Sequence, residues 1–394
     1  MSKETWAFPM STSFEPEAEP TTPSTNGEIE REIEYISFED LEARYREKRD
    51  LETEQRKCRK LVFKRGGEEI TDLIGYNTTV PILDKHYNDS DSGKPYFVLR
   101  VRMEKRDDEE KSKVVAFRAA SAFSTEWEQI EGEEELPEIM GQDPSATELG
   151  EELFLSVVEV EPVPDDSESG SHLKWWQRFY KGPDIRHLVP VGRGPDGMKN
   201  ITPVKMPTGE IITFTRPREP GNEALGGLGQ IGEVTTNTIE DILDPSTNIL
   251  QNAEFINTRF LPDEWGGIKY GKPMVDGRVK VVGHISRYDT ESPLYKEDAD
   301  EKPKKYATII GAYNPLTRKL EDVEMVAMAD EFPGVVPKDE YLKNVVFSGG
   351  MTDPDENGKV LLISGVGDAE TWTKEIDDPF AGLRLADQDY QLAA

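Results

Sequence analysis

Three charged residues in the segment 192–218, GRGPDGMKNITPVKMPTGEIITFTRPR, are spaced so that they can meet. Asp196 and Lys199 sit in an approach loop whose glycines and proline permit tight turns. Residues 201–206 have strand composition, Pro207, Thr208 and Gly209 make a turn, and residues 211–215 return to deliver Arg216. An acid, a lysine and an arginine brought together can handle a proton and hold an anion. A positioned carboxyl gives or takes the proton of a linking oxygen, carboxylates and amides bind sugar hydroxyls, and guanidinium and ammonium groups bind phosphate.

The carboxyl assigned to the proton is Asp143, which follows Gln142 and precedes Pro144. The proline biases Asp143 toward extended backbone, and that would aim its side chain. Taken alone, the dipeptide reads more simply as an ordinary turn, and it is the surrounding repeat that favours the catalytic reading. Candidate anion contacts are Arg100, Arg102, Lys199, Arg216 and His284, near strand ends in a strongly negative chain. Asn77, Gln142, Asp196, Asp263, Asp368 and Glu370 are candidate hydroxyl ligands, and Trp265 is either a sugar-stacking ring or a buried anchor. The four histidines lack metal-ligand spacing, so neither a metal nor a cofactor is expected. The glycine-rich run 226–232 lacks the strand, helix and acidic partner of a dinucleotide fingerprint and reads as a loop.

These residues fall on a repeated plan. Five segments run from a polar or glycine-rich start through an apolar strand and a turn into a second strand. Their leading residues Asn77, Asp143, Asp196, Trp265 and Ser348 are 66, 53, 69 and 83 positions apart. That spacing fits four-stranded blades with loop insertions, so the expected fold is all-β, a five-bladed β-propeller, with a two-sheet sandwich as the alternative. In a propeller the inner strands point their ends at one axial funnel, which lets residues distant in sequence share a ligand. Outer strands are expected at 175–180, 232–236 and 306–313. Residues 1–30 read as a disordered acidic tail, 31–60 as a short helical N-terminal extension, and 61–394 as the propeller.

Of 394 residues, 47 are Lys or Arg and 78 are Asp or Glu, giving a formal charge of −31. This argues against gripping a nucleic-acid backbone or an anionic membrane. One cysteine excludes an internal disulfide, and neither a membrane span nor a signal-peptide core is evident, so a cytoplasmic location is expected.

The segments GPDGMKNITPVKMPTGEIITFTRP, DEWGG, VVGHI, VVFSGG and GVGDAE carry a resemblance extending over about residues 61–380. The chain resembles a five-bladed propeller family of unknown function, related to furanosidase and mannoside-phosphorylase propellers, that includes mannosyltransferase/phosphorylases of β-1,2-mannan. The resemblance implies an inverting reaction with Asp143 as the catalytic acid. Phosphate would attack the anomeric carbon of a terminal mannose, or mannose 1-phosphate or a nucleotide-activated mannose would extend a chain. Arg100, Arg102, Lys199, Arg216 and His284 would then be phosphate or donor contacts, and Asp196, Asp263 and Asp368 would bind hydroxyls. The implied partners are a mannose-containing oligosaccharide and phosphate or a sugar phosphate. A hydrolase using water and a non-catalytic sugar-binding propeller are the rival readings.

Overall fold

A computed structural model describes residues 32–88, 95–131, 136, 139–162, 173–217, 228–299 and 301–381. The expected N-terminal tail lies outside the described residues. The fold is all-β with few helices. Among the described residues the first elements are β1 (Glu34–Ile36), α1 (Phe38–Lys48), α2 (Leu51–Lys57) and β2 (Cys58–Lys60). Next come β3 (Val62–Arg65), β4 (Glu68–Glu69), β5 (Ile74–Thr78), β6 (Ile82–Asn88), β7 (Pro95–Lys105), β8 (Asp108–Ala119), β9 (Glu126–Gln129) and β10 (Ile139–Met140).

Three four-stranded antiparallel sheets follow. The first holds β11 (Gln142–Leu149), β12 (Glu152–Pro162), β13 (Leu173–Gly182) and β14 (Val189–Arg193). The second holds β15 (Thr202–Lys205), β16 (Ile211–Thr215), β17 (Gly232–Thr236) and β18 (Glu254–Phe255). After β19 (Thr258–Phe260), the third holds β20 (Glu264–Pro273), β21 (Val279–Tyr288), β22 (Lys304–Asn314) and β23 (Lys319–Ala327). Finally β24 (Val346–Met351), β25 (Lys359–Val366) and β26 (Glu370–Asp377) join β2 to β10 in a twelve-stranded sheet. The link between its two halves is one parallel pairing, Glu370 with Gly75. Strands spread over this many sheets do not form a two-sheet sandwich. The expected outer strands are the third strands β13, β17 and β22.

The first strands of the successive groups touch in the order β5, β11, β15, β20 and β24, and β24 touches β5. Alternation along each strand buries apolar side chains between neighbouring sheets. Phe154 and Phe179 meet Ile201 and Ile211, Phe214 meets Ile268 and Val281, and Tyr270 and Val282 meet Val346 and Leu362.

The N-terminal extension is two helices flanked by strands rather than one helix, because Asp50 accepts from Thr53 N–H at 2.8 Å and restarts the turn. It straps the later sheets together. β1 pairs with β19, Phe38 and Leu41 enter the core with β20 to β23, and β2 completes the edge beside β26. At this strap a buried ion cluster forms: Lys374 Nζ reaches Glu331 (2.9 Å), Glu54 (2.7 Å) and the Val326 carbonyl (2.8 Å), and Arg49 reaches Glu331 (2.7 Å).

Removing one partner of a buried pair strands the other in a poorly solvated place. Lys374→Met is therefore expected to lower the unfolding free energy by about 3–5 kcal/mol, measured by denaturant titration. Lys374→Met combined with Glu331→Leu should lose less than Lys374→Met alone.

Candidate functional site

Four of the five first strands carry one extra residue relative to their partners. The register slips at Asn77 in β5, at Asp143 and Pro144 in β11, at Lys269 in β20 and at Gly349 in β24. Such bulges re-aim side chains. Asn77, Asp143 and, just before β15, Asn200 have φ of 50°, 48° and 61°. Asp143 is thus left-handed rather than extended as its proline suggests. The strain is offset by hydrogen bonding, since Lys269 Nζ donates to the Asp143 carbonyl oxygen at 2.6 Å and Asn77 Nδ2 to its carboxylate at 2.7 Å.

Around this carboxylate stand three cations. Arg102 Nη1 is 3.4 Å from Oδ1, Lys199 Nζ is 3.9 Å from Oδ2, and Lys269 holds the backbone oxygen. Burial alone would raise the carboxyl's pKa, but Arg102, Lys199 and Lys269 with the Asn77 amide outweigh it and hold it well below the usual range. Asp143 is thereby held ionised. Burial beside another cation pushes Lys269 the other way, down to about 8, against the pull of Asp143.

Arg102 cannot wander. Glu104 takes its guanidinium at 2.9 Å, Ser112 hydrogen-bonds it, and the Tyr76 ring lies 4.6 Å away. Glu104, itself buried, also accepts from Tyr76 Oη (2.7 Å) and Lys338 (2.6 Å). The charge of Asp368 acts on both Arg102 and Tyr76, which puts a second carboxylate in the same neighbourhood. Asn77 fits because Gly365 opposite has no side chain; a Cβ there would lie 2.0 Å from Asn77 Oδ1.

In reach of the same charges is His284, 1% exposed, its ring stacked 5.5 Å from Tyr306 and tilted 5.0 Å from Phe347. Among the described residues neither ring nitrogen has a hydrogen-bond partner. Burial, then the charges of Arg216, Lys199 and Lys269, keep the imidazole neutral by lowering its pKa well below the ordinary value. Arg216 Nη1 donates to Asn200 at 3.2 Å, with both side chains against Gly267. A buried, unsatisfied imidazole surrounded by cations is suited to donate to or accept from an incoming oxyanion or hydroxyl.

Of the residues singled out in the sequence, the structure gathers Asn77, Arg102, Asp143, Lys199, Arg216, His284 and Asp368. Gln142 is buried beside Asp143. Trp265 is 4% exposed and donates to Tyr306 Oη at 3.0 Å, so it is an anchor within the wall. Others stand apart. Arg100 donates to the Val114 and Ile185 carbonyls, and burial lowers its pKa to about 10. Asp196 is exposed between Lys174 (2.8 Å) and Arg193 (2.9 Å), Asp263 is exposed, and Glu370 accepts from Lys60 and Trp372. The sequence reading missed Lys269, Asn200 and Tyr306. For Lys269 a signal existed, a lone lysine inside the otherwise uncharged run 266–271. Among the described residues no group of three or more His, Cys, Asp or Glu could hold a metal ion, and no helix is long and apolar enough to cross a membrane.

A sequence model described as protein of unknown function (DUF1861) matches residues 49–382. The chain belongs to this family. No curated protein is significantly similar to it. Among solved structures, this DUF1861 protein is similar to MPT-4, a mannose phosphorylase from Leishmania mexicana in complex with phosphate ion, at TM-score 0.69 and 22% identity over 87% of this chain and 94% of that one. It is also similar to MPT-1, a GDP-Man-dependent mannosyltransferase from the same organism, at TM-score 0.69 and 20% identity over 88% and 95%. A hypothetical protein from Leishmania major gives 0.65 and 22% over 87% and 96%. These likenesses establish a shared fold.

Lys269 is charged below about 8 and neutral above it, so its attraction for an anion is present at lower pH and lost as pH rises through that value. The dissociation constant of sulfate, which stays doubly charged throughout, should increase on the order of tenfold across this step. Calorimetric titrations against pH measure it, and Lys269→Met should remove the step.

Proposed function

We propose that this DUF1861 protein is a five-bladed propeller enzyme acting on mannosides, an inverting β-1,2-mannoside phosphorylase or mannosyltransferase with Asp143 as its proton-transfer residue. One observation carries the reading: the buried Asp143 carboxylate is flanked by Arg102, Lys199 and Lys269, with the unsatisfied His284 in reach of the same charges. That is an acid/base group beside an oxyanion site. The cyclic contact order of the five first strands and the fold shared with a phosphate-bound mannose phosphorylase support it.

In phosphorolysis a phosphate oxygen attacks the anomeric carbon as the glycosidic C–O bond breaks, and the departing oxygen takes its electron pair and a proton. Asp143 supplies that proton directly or through a sugar hydroxyl. In the reverse direction the acceptor hydroxyl gives its proton to Asp143 while phosphate leaves. The ionised carboxylate suits this base role at once. A bound phosphate would neutralise the cations that depress its pKa and so raise it toward the acid role. Asp368 is the second carboxylate that an inverting hydrolase would need to activate water, which favours keeping hydrolysis as the second reading.

Incubation with β-1,2-mannooligosaccharide and phosphate should release mannose 1-phosphate, and Asp143→Asn should cut the rate at least about hundredfold with an unchanged circular dichroism spectrum. Free mannose appearing without phosphate would transfer the assignment to a hydrolase. Saturable glycan binding with no turnover by either protein would make it a sugar-binding propeller.

A further inference from the structure

Helix α1 lies outside the segment matched by the family, yet its contacts end next to the site wall. Three strands meet in rows. Glu264, Arg287 and Lys305 form one row across β20, β21 and β22; Trp265, Ser286 and Tyr306 form the next; and Gly267, His284 and Thr308 lie two rows further on. The second row supplies the Trp265–Tyr306 hydrogen bond, and Tyr306 stacks on the His284 ring with an interplanar angle of 4°.

Every member of the first row is held by α1. Phe38 N–H, at the start of the helix, donates to Glu264 Oε1 at 2.8 Å. One turn later both Glu42 carboxylate oxygens accept from Lys305 Nζ, at 2.9 and 2.8 Å, and Arg287 stands 3.9 Å away. The Phe38 ring lies 5.0 Å from the Arg287 guanidinium and 5.5 Å from Lys305 Nζ. The helix is well formed locally. Ser37 caps it, acidic residues occupy its first turn, and Arg46 and Lys48 its last. Phe38 and Leu41 are 0% and 2% exposed. A rigid element therefore fixes the strand ends from which the Trp265, Tyr306 and His284 wall projects.

We infer that α1 is a part of the site's supporting wall in this protein, with Glu42 a positioning residue that sets Tyr306, and through it His284, for ligand binding. The inference rests on the functional reading above only for the identity of the ligand. Glu42→Ala removes both close acceptors of the buried Lys305, leaving it only Glu291 at 3.7 Å among the described residues, and takes an anion from the half-buried Arg287, so the first row relaxes and the stacked pair shifts. Displacement of a binding group by a fraction of an ångström is enough to matter at this range.

The test uses the full chain and inorganic phosphate as probe. Calorimetry should give a phosphate dissociation constant about tenfold weaker in Glu42→Ala than in the wild type, with KM for phosphate raised more than kcat is lowered. Amide hydrogen exchange across residues 304–308 should be faster. Leu153→Ala, in the apolar core between the sheets of β7 and β11, serves as a variant of comparable thermal destabilisation and should leave phosphate affinity unchanged. If the alanine variant does not fold, Glu42→Gln, which keeps one acceptor for Lys305, should give a smaller shift in the same direction. Unchanged exchange and affinity in Glu42→Ala would overturn the inference, as would an affinity loss matched by Leu153→Ala. Faster exchange at 304–308 with no phosphate binding by any protein, wild type included, would uphold the positioning role and remove the phosphate reading instead.

Discussion

A buried carboxylate cannot stay ionised unless cations stand close to it, and at Asp143 those cations come from separate parts of the chain. Arg102 is on β7, Lys199 precedes β15, and Lys269 is on β20, while Asn77 reaches in from β5. Satisfying one charge therefore fixes the relative placement of four strands or strand approaches. The same contacts hold the residue where a proton can be transferred and hold the positive groups where an anion can be met. Stability and chemistry share one electrostatic arrangement here, and the site lies where the first strands converge.

Bulges make the convergence possible. A regular strand would alternate its side chains between two sheet faces, whereas one additional residue turns Asn77, Asp143 or Lys269 off that alternation. Left-handed backbone at Asn77 and Asp143 is an expense, offset by hydrogen bonds that the regular strand would not make. Further links tie first strands to each other: Ser145 Oγ donates to the Lys269 carbonyl and Thr202 Oγ1 to the Ile268 carbonyl. Within this polar ring both His284 ring nitrogens and Asn77 Oδ1 are buried without a hydrogen-bond partner among the described residues.

The N-terminal strap addresses a different constraint. The twelve-stranded sheet is continuous between β26 and β5 through one residue pair, so its two halves need other support. Thr371 supplies part of it, its Oγ1 donating to the Gly75 carbonyl and its carbonyl accepting from Leu61 N–H, while Lys374, Glu331, Glu54 and Arg49 tie β26 to α2 and to the segment after β23. The strap's other end, at Glu264, Arg287 and Lys305, stands beside the aromatic wall of the site.

Alternation of apolar residues, turn chemistry at residues 207–209 and the recurrence of five similar segments were enough for the sequence to specify strands, hairpins and their order. Asn77 and Asp143 were legible as leading residues because each stands in a short polar run, Asn77 near the end of β5 and Asp143 near the start of β11. Which charges face inward was a matter for tertiary structure alone. Arg100 and Arg102 share a face of β7 by period-two alternation, yet one ends on carbonyls of Val114 and Ile185 and the other on Asp143. Periodicity gives the face of a residue but not its height along the strand relative to the neighbouring sheet, and that height is set by bulges and inter-sheet packing that involve residues far apart in the chain.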